Sequence, residues 1–217
     1  MSRPEPRYGR YVGLLALVIL VLITVNTIVT KPNGAKGVEP GHAIPPFAAP
    51  LALGTLSGDV NVATHAGEGS AGRTPACAVH GPGVLNVCAL YRGRPLVLAL
   101  FVDAGSCPDV LGQMQALAGA FPAVNFAAVA IKGERGPLLT LIRKRGLTSV
   151  RVGIDRDGVL ASLYRVASCP QVSFVLPGGV VQSPALLDTP SPRALRARVA
   201  ELVAAAGREA GRGAASR

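Results

Sequence analysis

The stretch "PLVLALFVDAGSCPDVLGQMQAL" (95–117) decides the fold, because it joins a strand to a helix through a short turn that carries a cysteine. The uninterrupted apolar run 95–102 is typical of a strand that is buried on both faces of a sheet. After the turn, apolar residues recur from Val110 to Phe121 with the spacing of one helix face. The pattern therefore places Cys107 at a strand–helix junction.

The same alternation continues toward the C-terminus. The apolar patterns predict strands at 124–131, 150–154, 171–176 and 179–182, and helices at 136–146, 159–166 and 191–207. A helix that crosses between two strands makes them parallel, whereas "PGG" between the last two strands predicts a hairpin. The chain is therefore expected to be α/β, with a parallel pair at the centre of the sheet and antiparallel strands beside it.

An uncharged apolar block lies near the N-terminus. Val12–Thr30 contains 19 residues, which is long enough to cross a hydrocarbon core of roughly 30 Å as a helix. Arg3, Arg7 and Arg10 precede it, which favours a cytoplasmic N-terminus for residues 1–11 and a domain outside the cell membrane. The alternative is a cleaved signal peptide, but its apolar region is usually about 7–15 residues and ends in a small-residue cleavage site. We therefore expect a transmembrane helix at 12–30.

The remainder of the sequence has the composition of one domain with a linker and a tail. Residues 31–46 are rich in Pro and Gly and predict a linker, whereas the polar Gly/Ala/Arg segment 207–217 predicts a disordered tail. The residues between them, 47–206, number about 160, which is typical of a single domain. The net charge of +10 comes from scattered arginines, and aromatic residues make up only 4% of the chain, so we expect no nucleic-acid partner.

Three segments carry a resemblance to a known family. Residues 95–117 resemble the first strand, active-site turn and first helix of the thioredoxin-like redoxins, including the membrane-anchored TlpA-like thiol–disulfide oxidoreductases. "LYRVASCPQVSFVLPGGVV" (163–181) is similar to the later segment in which a cis-proline precedes a hairpin, and 41–62 resembles the family's Pro–Phe entry segment. The resemblance covers 44–206. It implies a thioredoxin-like fold, a central mixed sheet flanked by helices, here with an N-terminal β-hairpin extension.

The chain departs from the family pattern at the active-site turn. It contains no Trp, and Ser106 stands where the family often has Trp before the cysteine. Val110 occupies the position of the second active-site cysteine. The resemblance implies thiol–disulfide exchange with protein substrates or a membrane reductase, and no cofactor or metal is expected. A dithiol cycle in this chain therefore needs a sulfur from elsewhere.

Cys107 is the candidate reactive thiol. Pro108 in the first helical position would place Cys107 at the N-cap, where unpaired backbone N–H groups and the helix dipole favour a thiolate. The negative charge of Asp109 opposes this effect. The alternative interpretation is that Cys107 is a small buried hydrophobic residue at a strand–helix junction.

Cys169 directly precedes Pro170. In the family that this chain resembles, the cis-proline loop faces the active-site cysteine, so the resemblance implies that Cys169 lies beside the sulfur of Cys107. We therefore predict that Cys107, Cys169 and Pro170 form the catalytic site. In this hypothesis Cys107 is the attacking thiol and Cys169 is its resolving partner.

The other two cysteines predict a structural disulfide. Four cysteines allow three pairings, and the tetrapeptide Gly81–Val84 lies midway between Cys77 and Cys88. A hairpin centred there would bring these two cysteines within the Cα separation of about 4.4–6.8 Å that a disulfide needs. A zinc site is the alternative, but the spacing matches no zinc pattern and His80 is the only nearby imidazole.

Two other functions stay open at this point. A peroxiredoxin-like peroxidase is weakened because Leu100 and Ala104 stand where that class has Pro and Thr or Ser. A binding module of the same fold, with two static disulfides and no turnover, is the other alternative, because a fold does not fix a function.

Overall fold

A computed structural model describes residues 8–29, 36–58, 60–62 and 74–215. The chain divides into two compact units, Met1–Ala35 and Lys36–Arg217. The first unit contains helix α1 (Tyr8–Val29), whose side chains from residue 11 to residue 24 are exposed. Among the described residues, no helix combines the length and the apolar content that a membrane crossing requires. The transmembrane helix at 12–30 and its cytoplasmic N-terminus thus stay predictions.

The second unit contains eight strands and five α-helices among its described residues. The strands are β1 (Phe47–Pro50), β2 (Asn61–Val62), β3 (Val84–Asn86), β4 (Leu96–Phe101), β5 (Asn125–Ile131), β6 (Val150–Asp155), β7 (Gln171–Val175) and β8 (Val181–Leu187). The helices are α2 (Val87–Tyr91), α3 (Asp109–Ala120), α4 (Arg135–Lys144), α5 (Val159–Leu163) and α6 (Pro192–Ala215), with a 3₁₀ turn at Ala76–Ala78.

Five of these strands form the central sheet, in the order β6-β5-β4-β7-β8. Strand β5 is parallel to both β4 and β6, because α3 and α4 cross over between them. Strand β7 is antiparallel to both β4 and β8, with Leu100 opposite Gln171 at the β4–β7 edge. The predicted parallel pair, the closing hairpin and the mixed sheet with flanking helices are confirmed.

Strand β4 separates two hydrophobic cores. All six of its residues are buried, and successive side chains point to opposite faces of the sheet. Val97, Ala99 and Phe101 pack into one core with residues of α3 and α6. The other three side chains of β4 are leucines, and they pack into the second core with residues of β1, β3 and α5. The continuous apolar run predicted from the sequence therefore reflects burial on both faces.

The N-terminal part of the domain differs from the predicted hairpin extension. Strand β1 pairs antiparallel with both β2 and β3, so the extension is a three-stranded sheet in the order β2-β1-β3. The hairpin centred on Gly81–Val84 is wrong, because Cys77 lies in the 3₁₀ turn and Cys88 lies in α2.

Asn86 explains the local structure that replaces this hairpin. Its side-chain amide donates hydrogen bonds to the carbonyl oxygens of Ala76 (3.0 Å), Cys77 (3.3 Å) and Val79 (2.8 Å). Its Oδ1 accepts the backbone N–H of Ala89 at 3.1 Å and so caps α2. One side chain thus ties the 3₁₀ turn at Ala76–Ala78 to the first turn of α2.

The predicted linker ends earlier than residue 46. Ile44 is buried, and the backbone N–H of Gly41 donates to the carbonyl oxygen of Val181 at 2.8 Å. The N–H of Val181 donates in return to the carbonyl oxygen of His42 at 2.9 Å. These contacts place residues 41–44 along strand β8 as part of the domain.

Helix α6 continues to Ala215, where the sequence predicted a disordered tail from residue 207. Gly207 and Gly211 cost about 1 kcal/mol each in a helix interior, but the alanines, arginines and glutamate around them are good helix formers. Composition alone therefore misplaced this boundary.

Candidate redox site

A disulfide joins Cys107 to Cys169 at one end of the central sheet. Cys107 lies in the turn between β4 and α3, and Cys169 directly precedes Pro170 and strand β7. Because β4 and β7 are antiparallel neighbours, the end of one strand lies beside the start of the other. The two Cα atoms are 5.3 Å apart across a sequence separation of 62 residues. The structure thus brings together the three predicted site residues, and the Cys169–Pro170 peptide bond is cis.

The helix after Cys107 begins one residue later than predicted. Helix α3 begins at Asp109 with Pro108 as its N-cap, so Cys107 lies one residue before the N-cap, whereas the sequence predicted it at the N-cap. The backbone N–H of Cys107 donates to the carbonyl oxygen of Ala104 at 3.2 Å, and that of Asp109 donates to Ser106 at 3.0 Å. Because these bonds wind the chain directly into α3, Cys107 still lies at the positive end of the helix dipole.

A backbone amide contacts both sulfurs. The N–H of Val102 lies 3.3 Å from the Sγ of Cys107 and 3.1 Å from the Sγ of Cys169, with both sulfurs as acceptors. A hydrogen bond to an ionised acceptor is stronger than one to a neutral acceptor, so this donor favours a thiolate once the disulfide opens. Sequence reasoning missed Val102, because a main-chain donor leaves no mark in the residue type.

The charge of Asp109 is paired within the domain. Its Oδ1 accepts a hydrogen bond from Nη2 of Arg145 at 2.6 Å, with the Arg145 side chain 27% exposed and that of Asp109 50% exposed. Arg145 follows the last residue of α4. The sequence predicted that Asp109 disfavours a thiolate at Cys107, and this ion pair offsets that effect. Sequence reasoning identified the cations at the end of α4 but not the partner of Arg145.

The family's second active-site cysteine is replaced here by a residue that is buried in the core. Val110 is completely buried in the core that α3 and α6 share with β4. Valine carries no sulfur, and the disulfide partner of Cys107 comes instead from the loop before β7.

The second disulfide joins Cys77 to Cys88, with a Cα separation of 5.4 Å. Cys88 is buried in the core formed with β1, β3 and α5, on the opposite side of the central sheet from Cys107. The predicted pairing is present, although the secondary structure that carries it differs from the prediction. The sheet thus separates the two sulfur pairs.

Comparison with solved structures gives the fold. A putative thiol:disulfide interchange protein DsbE from Chlorobium tepidum superposes with a TM-score of 0.57 at 16% sequence identity, over 76% of this chain and 98% of that one. The chain has the thioredoxin-like fold. The thioredoxin domain of a thiol–disulfide oxidoreductase from Bacteroides vulgatus gives a TM-score of 0.56 at 12% identity, over 76% and 99% of the two chains.

A third solved structure that the chain resembles is a putative protein disulfide isomerase from Bacteroides thetaiotaomicron. Its TM-score is 0.54 at 14% identity, over 76% of this chain and 92% of that one. No family model matches the chain, and no curated protein matches it. At these identities the likeness establishes the fold, and the chemistry must be argued from the site itself.

Proposed function

We propose that the protein exchanges thiols and disulfides with protein partners through the Cys107–Cys169 disulfide. The observation that carries the proposal is the position of this bond at the end of the sheet, with the amide of Val102 directed at both sulfurs. A static cross-link gains little from a donor that favours a thiolate. The thiol–disulfide oxidoreductases among the solved neighbours support the same class of chemistry.

The exchange requires only sulfur chemistry. A partner thiolate attacks one sulfur of the bond, the other sulfur leaves as a thiolate, and a mixed disulfide forms. With a dithiol partner the electrons come from its thiols, and with a disulfide partner they come from the reduced Cys107 and Cys169, so the exchange needs no cofactor. The partners are therefore protein dithiols, protein disulfides or a membrane reductase. Pro170 serves the reaction by holding Cys169 against the turn of Cys107.

A binding module with static disulfides is the second candidate. The observation that favours it is the burial of Cys107, which is only 5% exposed. A buried structural bridge resists the reductants that open an exchanging one. The two candidates therefore differ in the reduction potential of the Cys107–Cys169 bond.

A redox titration separates the two candidates. The double variant Cys77→Ser/Cys88→Ser leaves one disulfide, and dithiothreitol buffers poised at decreasing potentials are followed by alkylation and mass spectrometry. We expect the bond to open well above the value of about −300 mV below which structural bridges typically lie. A bond that stays closed down to that potential would establish the static module instead. The control is the wild-type chain, in which peptide mapping follows the same bond and checks that the double variant has not changed its reduction potential.

We further propose that residues 12–30 anchor the domain in the cell membrane, with residues 1–11 in the cytoplasm. The support is the uncharged apolar block behind three arginines. A C-terminal alkaline phosphatase fusion should be active, and a matched β-galactosidase fusion should be inactive. The opposite pair of results would place the domain in the cytoplasm.

A further inference from the structure

The two sulfurs of the candidate redox site differ in their access to solvent. Cys107 is 5% exposed and belongs to the core cluster that includes Val110 and Leu111. Cys169 is partly exposed and packs against the edge of that cluster. Its neighbours Ala167 and Ser168 are exposed and partly exposed, respectively. An incoming reagent therefore meets Cys169 first.

The chain that follows strand β8 is fixed on both sides of Cys107. The hydroxyl of Thr189 donates to the carbonyl oxygen of Ser106 at 3.3 Å. The side-chain amide of Gln113 in α3 donates to the carbonyl oxygen of Pro190 at 2.9 Å. One of these bonds precedes Cys107 in the sequence and the other lies in the helix that follows it. These bonds tie residues 189–190 to the chain on either side of Cys107.

We propose that the partner bonds covalently to Cys169 and that Cys107 is the buried resolving sulfur, the reverse of the roles predicted from the sequence. This inference rests on the exchange function proposed above. In the first step a partner thiolate attacks the Sγ of Cys169. The bond to Cys107 breaks, Cys107 leaves as a thiolate, and the partner is held as a mixed disulfide on Cys169.

The surroundings of Cys107 suit a leaving group. A thiolate that is better stabilised leaves faster in exchange. The Val102 N–H reaches both sulfurs and does not distinguish them, but Cys107 lies one residue before the N-cap of the 12-residue helix α3. The pairing of Asp109 with Arg145 offsets the negative charge beside it. Cys169 precedes a strand and so receives no such help from a helix. Solvent access thus favours Cys169 as the attacked sulfur, and the helix dipole favours Cys107 as the leaving sulfur.

The cycle balances in both directions. When the partner is a dithiol, its second thiolate attacks its own sulfur in the mixed disulfide and releases Cys169. Two electrons pass to the cysteine pair, and the partner becomes a disulfide. When the partner is a disulfide, Cys169 attacks it, Cys107 then attacks the Sγ of Cys169, and the partner leaves as a dithiol. Both directions pass through the same mixed disulfide, as reversibility requires.

Mapping the glutathione adduct of the wild-type chain tests this order. The oxidised protein is mixed with reduced glutathione, quenched in acid, alkylated at low pH and mapped by peptide mass. We expect glutathione on Cys169 and the alkyl group on Cys107. Glutathione found mainly on Cys107 would overturn the inference and leave the exchange function standing. A bond that yields no adduct and no free thiol would overturn both.

Two matched variants give a second, kinetic measurement. Cys107→Ser leaves Cys169 as the free thiol of the site, and Cys169→Ser leaves Cys107. With 5,5′-dithiobis(2-nitrobenzoate) as the probe, we expect Cys107→Ser to react at least tenfold faster and to trap partner proteins as mixed disulfides. Equal rates, or a faster reaction of Cys169→Ser, in variants with the circular dichroism of the wild type would contradict the inference. If either variant fails to fold, the wild-type mapping decides.

Discussion

Nη2 of Arg145 lies 2.6 Å from Oδ1 of Asp109, so the first residue of α3 is paired with a cation from the end of α4. Both side chains are partly exposed, and pairs of this kind contribute about 0–1 kcal/mol to stability. The consequence of the pair is therefore electrostatic. It offsets a negative charge two residues from Cys107, where a thiolate forms when the disulfide opens.

Replacing Arg145 should make the disulfide harder to reduce. In Arg145→Gln the carboxylate of Asp109 is unpaired and disfavours the thiolate of Cys107, so the reduced form is destabilised. We expect the reduction potential to fall by up to about 30 mV, which is a tenfold change in the exchange equilibrium. Asp109→Asn should shift the potential in the opposite direction. Titration against glutathione measures both shifts.

The matched control for this prediction is Arg143→Gln. Arg143 lies near the end of the same helix, is exposed, and donates through Nε only to the carbonyl oxygen of Leu139. Its replacement changes the net charge equally but leaves the Asp109 pair intact. An equal shift in the two arginine variants would show that the pair has no specific effect on the site.

Arg135 fixes the loop that follows β1. Its guanidinium donates to the backbone carbonyl oxygens of Leu51, Ala52, Gly54 and Leu56. Arg135→Lys loses the planar fork that reaches several acceptors at once, so we expect the free energy of unfolding to fall by about 1–3 kcal/mol. Urea denaturation measures this change. Arg143→Lys on the same helix should leave stability nearly unchanged, and a similar loss in both variants would contradict the role of Arg135.

Removing the second disulfide should affect stability and not exchange. The bond between Cys77 and Cys88 closes a loop with a sequence separation of 11, which corresponds to about 2–3 kcal/mol in the chain-entropy model. We expect Cys77→Ala/Cys88→Ala to unfold at lower urea concentration while its Cys107–Cys169 pair keeps its reduction potential. A shift of that potential in the folded variant would mean that the two cores are coupled across the sheet.

The elements around the site follow from hydrophobic periodicity. The run at β4 and the single apolar face of α3 predicted the junction that carries Cys107, because both patterns arise from burial in one place. The partnership of Cys107 with Cys169 came from the resemblance to a family. The strand order, which juxtaposes β4 and β7, explains it physically.

Features that depend on tertiary contacts could not be predicted in this way. Asn86 holds a 3₁₀ turn and caps a helix where a hairpin was expected. The residue type could not predict this, because Asn is also common in turns. The bonds of Thr189 to Ser106 and of Gln113 to Pro190 join segments more than 70 residues apart. The proposal that Cys169 bonds to the partner rests on the unequal burial of the two sulfurs, which also depends on tertiary packing. The solvent exposure of a sulfur depends on how the folded chain packs around it, and no periodic pattern in the sequence predicts it.

Asp155 gives the domain a buried carboxyl group at the end of β6. Its Oδ1 accepts the backbone N–H groups of Gly158 (3.0 Å) and Val159 (3.2 Å), and its Oδ2 accepts that of Leu160 (2.9 Å). The side chain is completely buried, and this burial raises the pKa of Asp155 above its ordinary value of 3.8, against the lowering by these three donors. The folded state therefore binds the proton of this group more tightly than the unfolded state.

The raised pKa of Asp155 makes the free energy of unfolding depend on pH in one direction. Because the pKa of Asp155 is higher in the folded state, the stability that its protonated form contributes falls as the pH rises from about 3.8 through the folded pKa. In Asp155→Asn the side chain does not titrate in this pH range. Its amide nitrogen takes the place of Oδ2 and cannot accept a hydrogen bond from the N–H of Leu160. We expect a loss of about 1–3 kcal/mol, greatest at the acid end and smaller toward neutral pH. Urea unfolding of both proteins from about pH 3.5 to pH 7 measures the difference, with Asp103→Asn, at an exposed turn position, as the control. A difference that grows with pH would mean that the three backbone donors outweigh burial.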